Sequence, residues 1–478
     1  MNLLEGIQKK NTIYNTKGGM YYDTTFDDNL DLFSMVSRFD TDERILQLFD
    51  NAFYENKELA LANLLYLLDI RNGRGERRIF QIIYKNLCLY HKEEALLIMP
   101  FIGEFGRYDY LLLGLDTKIE NESLEFIQRQ LEIDLKSDTP SLLAKWLPSH
   151  RSHGVNSLTA KKIITYMGIT EKEYRLLLKK LRSKINLVET NLTTRNYSKI
   201  EFDKVPSKAM LKYHKSFEKN MTSSFHTYKK EVLDGIRSIH TTGLFAYEII
   251  QKILNREGDS ELYNLMWDNQ KNVIPDCKKN LLVVADTSAS MMTHGAIPYC
   301  TSVGMAIYIA ERNQGFFHNY FITFSDEPTL HEVKGRTIQD KVLNMREINV
   351  WNTDIDKVFE LILTTSLENN LSQEDLPETV LIISDMEFDR GVYSRNGTNF
   401  SGWKEAFEKA GYSLPSILFW NVAGNSRGVP VTKIDQNVAI VSGFSTNVLE
   451  KLFTLDEYSP ISLMWERLSL YLELIKVG

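Results

Sequence analysis

Three cysteines in 478 residues, Cys88, Cys277 and Cys300, form no CxxC pair. They provide neither a disulfide framework nor a thiolate zinc site, and they suit a reducing compartment. Prolines number 11 and glycines 25, against 43% hydrophobic and 11% aromatic residues, so long disordered tracts are not expected. No apolar run approaches the roughly 18 residues of a membrane span. The opening stretch MNLLEGIQKKNTIYN lacks the apolar core of a signal peptide. A cytoplasmic protein with no membrane partner is the expectation. Catalytic signatures are missing too: there is no GxxxxGK[ST], no GxSxG and no HExxH. His294 lies just beyond a serine-rich loop, but no acid is evident in the sequence to orient it. No enzyme is expected.

What the chain does have is charge of unequal distribution. The formal net charge is −7, yet residues 1–280 carry 41 Lys and Arg against 38 Asp and Glu, while 281–478 carry 15 against 25. Within 141–230 the balance is 19 basic to 6 acidic. A locally basic stretch of that density points to an anionic partner.

At this length two or three domains are expected, each with its own core. Residues 25–275 read as short amphipathic helices, for example DTDERILQLFDNAFYENKELALANLLYLLDI, with Asp40 as candidate N-cap and Glu43 in the capping-box position. Many such helices with short breaks suggest a HEAT-like helical-repeat solenoid. Residues 257–280 read as a linker or a bridging element. From 281 apolar runs (LLVVAD, NYFITFS, REINV, ETVLIISD, SILFWNV, NVAIVSG) alternate with helical segments, the pattern of a doubly wound, mainly parallel α/β sheet. PISLMWERLSLYLELI reads as a closing helix. The predicted class is α plus α/β, with domains at 1–275 and 276–478.

In such a sheet, ligands bind at the carboxyl ends of strands. Asp286, Ser288 and Ser290 follow the first strand, Thr353 follows REINV, and Asp385 ends ETVLIISD. Two carboxylates and three hydroxyls, with no His or Cys, suit Mg²⁺ or another hard divalent cation. The pattern D-x-S-x-S, then a loop Thr, then a strand-end Asp resembles the metal-ion-dependent adhesion site (MIDAS) of von Willebrand factor A domains. That resemblance implies that the hydroxyls of Ser288, Ser290 and Thr353 bind the metal directly. Asp286 and Asp385 would then act largely through water, leaving room for an acidic group from a partner.

With a helical array ahead of it, the chain resembles the Ro autoantigen family, whose helical-repeat ring is the TROVE module. It is most similar to an uncharacterised group of Ro-like proteins with this layout. The stretches that carry the likeness are DIRNGRGERRIF, IGEFGRYDYLL, LLAKWLPS, YRLLLKKLRSKINLVET, KVPSKAM and SDMEFD. The resemblance implies a monomer, a closed ring, and binding of small structured RNAs or of single-stranded 3′ ends of misfolded ones.

The residues offer such a surface. In EKEYRLLLKKLRSKI, Tyr174, Leu177, Leu178, Leu181 and Ile185 share one helical face. Arg175, Lys179 and Arg182 fall at i, i+4 and i+7, and Lys180 and Lys184 form a neighbouring pair. A basic stripe of this kind tracks phosphates without reading sequence. Lys145, His150, Arg151, Lys161 and Lys162 add donors around a Pro-Ser turn, and Arg71 and Arg74 sit in a Gly-containing loop suited to gripping phosphate. The same loop arginines could instead pin helices through Asp69, Glu76 and Glu104. Two functions follow: a Ro-like RNA-binding protein whose A domain supports the ring or recruits a partner, or an adaptor whose A domain captures an acidic side chain through the metal.

Overall fold

The computed structural model describes residues 12–14, 19–150, 154–274, 280–323, 327–346, 354–388, 399–424, 428–452 and 458–477. The chain forms two compact units, one of residues 1–63 and 244–470, the other of residues 64–243 and 471–478. The architecture is α plus α/β.

The first unit is built on a six-stranded sheet. Its strands are β3 (Leu281–Ala285), β4 (Tyr320–Thr323), β5 (Leu330–Glu332), β6 (Thr379–Ser384), β7 (Ser416–Asn421) and β8 (Val438–Ser442), in the order β5-β4-β3-β6-β7-β8. All neighbours pair in parallel except β5, an antiparallel edge on β4. β3, β6 and β8 are buried at every position, which is why they read as unbroken apolar runs rather than as alternating strands. Period two still decides which face each side chain takes. Leu282 and Val284, Val380 and Ile382, Ile417 and Phe419, and Val438 and Ile440 share one core with Trp403 and Phe407. The edge strand β5, sequence LHE, is too short and polar to be expected from the pattern. REINV falls largely within residues 347–353, outside the described residues.

The expected boundary between 275 and 276 is not where the compact units divide. A small hairpin, β1 (Thr12–Tyr14) with β2 (Met20–Tyr22), precedes helix Asp28–Met35. Tyr21, Tyr22 and Met35 lie in the sheet's own core. Tyr22 forms an isolated bridge with Val429, and the Ser442 hydroxyl donates to the Val36 carbonyl at 3.1 Å. On the other side, helix Ala246–Leu254 packs against helix Thr293–Arg312. A Cβ on Gly304 would lie 3.1 Å from Ile250 and 3.3 Å from Ala246, so the absent side chain permits this close crossing. Residues 257–280, expected as a linker or a bridging element, contain helix Ser260–Asp268, capped by the Asp259 side chain accepting from the Leu262 N–H. Its buried Trp267 donates to Glu311 at 2.9 Å. At the other cap, Thr41 rather than Asp40 accepts from Arg44, and Asp40 takes the Ser37 N–H.

The second unit is helical. Arg77–Tyr90, Glu120–Lys136, Val155–Met167, Glu171–Ile185, Ser207–Asn220 and Thr222–Leu233 are its longer helices. Helix Glu171–Ile185 starts on a reciprocal capping box between Thr170 and Glu173. Closing helix Pro460–Val477 is present, and the division of units falls within it at 470/471. No helix among the described residues is long and apolar enough to cross a membrane.

One buried acid in the first unit makes stability pH-dependent. Burial pushes Asp31 up to about 6, although its Oδ1 accepts both the N–H and the hydroxyl of Thr25. The raised value means the native state holds a proton that the unfolded chain releases near the ordinary carboxylate range. Asp31's contribution is therefore full below pH 4 and is lost as pH rises through 6. Asp31→Asn keeps the Oδ1 acceptor, so it should stabilise the protein at pH 7 by about 1 to 2 kcal/mol. It should also flatten the pH 4–6 limb of a melting-temperature profile.

Candidate functional site

Sheet order decides where the acids meet. From β3 the chain goes outward to β4 and β5, then returns to β6 on the opposite side of β3. The β3/β6 boundary is thus a topological switch point, where loops leave in opposite directions and open a crevice at the carboxyl ends. Ala285 pairs with Ile383, and the Asp286 N–H extends the ladder to the Ile383 carbonyl at 2.9 Å. Asp286 therefore stands beside Ser384, one residue before Asp385.

These side chains form a connected set. Asp286 is fully buried; its Oδ1 accepts the Ser288 N–H at 2.9 Å and its Oδ2 accepts the Ser384 hydroxyl at 2.7 Å. The Ser288 and Ser290 hydroxyls lie 3.0 Å apart. Asp385, 3% exposed, accepts the Glu387 N–H at 3.0 Å, and the Ser384 hydroxyl reaches its Oδ1 at 3.5 Å. Burial, and then the negative charge of Asp385, push Asp286 up to about 6, opposed by the hydrogen bonds from Ser288 and Ser384. In the same loop the Thr287 hydroxyl is buried without a hydrogen-bond partner among the described residues. Two adjoining buried carboxylates, two converging hydroxyls and an orphaned third make a hard, electron-rich donor set that fits a divalent cation. Four of the five sequence candidates (Asp286, Ser288, Ser290 and Asp385) come together. Thr353 lies outside the described residues. Ser384, the bridge between the carboxylates, was not singled out, although a hydroxyl ending an apolar strand before an acid was a readable signal. Asp356, three residues after Thr353 in sequence, accepts the Trp403 indole N–H at 2.7 Å and is built into the core. Among the described residues no group of three or more His, Cys, Asp or Glu is assembled.

The basic candidates separate into working parts and free ones. Arg74 is 3% exposed, which removes it from any phosphate surface. Its loop folds back on helix Lys57–Leu68: the N–H groups of Arg74 and Gly75 donate to Tyr66 and Asp69 carbonyls, both at 3.0 Å. A Cβ on Gly73 would lie 2.1 Å from the Tyr66 carbonyl oxygen, so no other residue closes this turn. Arg71 is exposed, but its guanidinium donates to the Glu104 carbonyl at 2.9 Å. Arg182 is a correction to the expected stripe. Its guanidinium donates to the carbonyls of Ala144 and Leu147, both at 2.8 Å, and to the Ser149 hydroxyl at 3.1 Å. Those carbonyls end the short helix Leu143–Trp146 and need donors. Lys184 does the same for helix Glu120–Lys136, donating to the Leu135 and Ser137 carbonyls at 3.3 and 2.7 Å. Lys162 pairs with Asp116 and Glu120, Lys145 with Glu189, and His150 with Glu171. Arg151 lies outside the described residues.

Arg175, Lys179, Lys180 and Lys161 are exposed and carry no partner among the described residues, as does Lys172, which the sequence reading passed over. Beside them is a cleft of about 460 Å³ lined by Ser149, His150, Lys172, Tyr174, Arg175 and Arg182, among others. Tyr174 is buried beneath it, its hydroxyl donating to the Pro148 carbonyl at 3.0 Å.

Two outcomes follow. Asp286→Asn removes one of two abutting buried charges, so it should raise the metal-free stability by about 2 kcal/mol at neutral pH and abolish any added stability that Mg²⁺ brings to the wild type. Thermal melts with Mg²⁺ or with chelator measure both. Arg182→Ala should cost about 2 to 4 kcal/mol by leaving two helix-end carbonyls without donors, while Arg175→Ala and Lys179→Ala stay within about 0.5 kcal/mol of wild type in the same melts.

Two family models match the chain, each described as a domain of unknown function: DUF2828 over residues 153–285 and DUF7788 over residues 280–460. An uncharacterised protein of Acanthamoeba polyphaga mimivirus is 27% identical over 507 residues, covering 96% of this chain and 88% of its own. The crystal structure of the Deinococcus radiodurans Ro (RSR) protein aligns with 89% of this chain and 91% of that one, at 11% identity and a TM-score of 0.38. The chain is thus similar along nearly its whole length to a viral protein of uncharacterised role, and the two matched family models meet at residues 280–285, where β3 begins.

Proposed function

We propose that the chain is a non-enzymatic, Ro-like RNA-binding protein that also holds a divalent cation, Mg²⁺ fitting best, in its sheet unit. The observation that carries the RNA reading is the row of exposed, unpaired cations on helix Glu171–Ile185 (Lys172, Arg175, Lys179 and Lys180) beside the cleft at His150. Lys161 on helix Val155–Met167 adds a fifth. Ammonium and guanidinium groups held apart from carboxylates contact phosphates, release counterions and carry no base code, which suits structured or misfolded RNA of varied sequence. His150, tied to the exposed Glu171, and Lys162, tied to the exposed Asp116 and the half-buried Glu120, join at little cost, since surface pairs are worth about 0 to 1 kcal/mol. Arg182 and Arg74 take no part.

In the sheet unit, Asp286, Ser288, Ser290 and Asp385 would hold the cation, with Thr353 joining them as the resemblance to von Willebrand A domains implies. The cation would supply Lewis acidity toward an incoming carboxylate. The chain's own residues keep that acid pair buried and oriented: Ser384 bridges it and Ser288 pins Asp286. This supports a recruiting or bracing role for the sheet unit.

The test is a salt series of binding to a structured RNA with a single-stranded 3′ tail. Wild type should lose affinity with a log–log slope of about −3 to −4, from four or five phosphate contacts. The variant carrying Lys172→Glu, Arg175→Glu, Lys179→Glu and Lys180→Glu should bind at least about tenfold more weakly, with the slope reduced to about −1 and an unchanged melting temperature. A wild-type slope near zero overturns the RNA reading. It would leave the cation centre as the functional element, with an acidic side chain of a protein partner as its ligand.

A further inference from the structure

The loop that carries Asp385 is held by a residue more than 360 positions away. After Asp385 the backbone turns sharply: Met386 has φ +65°, a left-handed conformation that a side chain of its size rarely adopts unless its surroundings impose it. Three consecutive N–H groups follow, and each has an acceptor. Met386 donates to the Ser384 hydroxyl at 3.1 Å, Glu387 to Asp385 Oδ1 at 3.0 Å, and Phe388 to the Tyr21 hydroxyl oxygen at 3.0 Å. The first two acceptors belong to the loop itself. The third comes from β2, and the Tyr21 and Phe388 rings also stack, with centroids 6.5 Å apart and planes 20° from parallel.

Tyr21 is itself fixed. Next to it, Tyr22 exchanges two backbone hydrogen bonds with Val429, at 3.0 and 2.8 Å. Gly428 lets the strands approach this closely, since a Cβ there would lie 2.5 Å from the Tyr22 carbonyl oxygen and 2.9 Å from Tyr21 Cβ. Tyr21 and Phe388 are both buried, so water cannot replace the hydroxyl once it is removed.

We propose that Tyr21 is a positioning residue for the cation centre: through the Phe388 N–H its hydroxyl fixes the turn that aims the Asp385 carboxylate at Asp286. This rests on the reading of Asp286 and Asp385 as a divalent-cation site. Without the hydroxyl, the Phe388 N–H must find another acceptor. One acceptor in the same turn is the Asp385 carboxylate, which already takes the Glu387 N–H, and a second donation to it would pull that carboxylate from its present orientation. Outer partners of metal ligands typically set affinity by about tenfold or more.

The experiment titrates the full-length protein with Mg²⁺ by calorimetry and with Mn²⁺ by electron paramagnetic resonance, at a temperature where every variant is folded. Tyr21→Phe, which keeps the ring and its packing, should weaken both metals by about tenfold and change the Mn²⁺ spectrum, while the metal-free melting temperature falls only modestly, by what one lost buried hydrogen bond costs. Gly428→Ala, which pushes the hairpin off its seat, should act in the same direction, and Tyr14→Phe on the exposed part of the hairpin should match wild type. If Asp286→Ala loses metal but Tyr21→Phe binds and resonates as wild type does, Tyr21 is only a packing residue and the proposal is overturned while the cation site stands. If wild type takes up neither metal, the cation reading fails and the proposal with it.

Discussion

Two carboxylates, Asp286 and Asp385, are buried side by side at the carboxyl edge of a parallel sheet, and much of the first unit serves to hold them there. A buried charge facing another of the same sign is costly: burial first, and then the charge of Asp385, push Asp286 up to about 6. Nothing in the packing of β3 or β6 requires acids at their ends. The sheet fixes their separation through the β3/β6 register, Ser384 bridges them, and the Ser288 and Glu387 N–H groups each take one carboxylate oxygen. Further polar strand ends surround the pair: Asn421 caps the turn after β7, and the Ser442 hydroxyl ties β8 to the segment that follows helix Asp28–Met35.

The helical unit illustrates a different use of charge. Every helix leaves its last carbonyls without donors, and a unit of many short helices has many such ends. Arg182 and Lys184 supply those donors, and the Arg74 loop closes another end through its own backbone. The excess of lysine and arginine in 141–230 is therefore partly structural, and net charge overstates the free basic surface. The cations on helix Glu171–Ile185 and at Lys161 are one part of what is left, since Arg195, Lys199, Lys215, Lys219 and Lys230 are exposed as well.

The sheet-bearing unit and its acids were legible in the sequence because their signals are local. LLVVA and TVLIIS are buried on both faces, so each reads as a short unbroken apolar run. D-x-S-x-S is a single loop whose donors are brought together by one turn of chain, and Asp385 closes its own strand. The helix starting at Glu171 was equally plain, since Thr170 and Glu173 cap it from within and its apolar residues repeat at helical spacing.

Pairings across long separations were not legible, because no periodicity in a strand or helix records its partner. Tyr21 reaching Phe388, Tyr22 pairing with Val429, and Gly304 admitting helix Ala246–Leu254 make 12–63 and 244–275 part of the sheet unit, where pattern alone placed them with the helices. Arg182 and Arg175 are also alike in sequence, each a basic residue on a helical stripe. Only the tertiary structure sets one against the carbonyls of Ala144 and Leu147 and leaves the other facing solvent. The sequence by itself determined the strand-end acids, the hydroxyl loop and the capped basic helix, since these depend on neighbours within a few residues. Which cations are free and which distant hydroxyl steadies the acid loop were decided by the tertiary structure, because burial and hydrogen-bond satisfaction are properties of the packed whole.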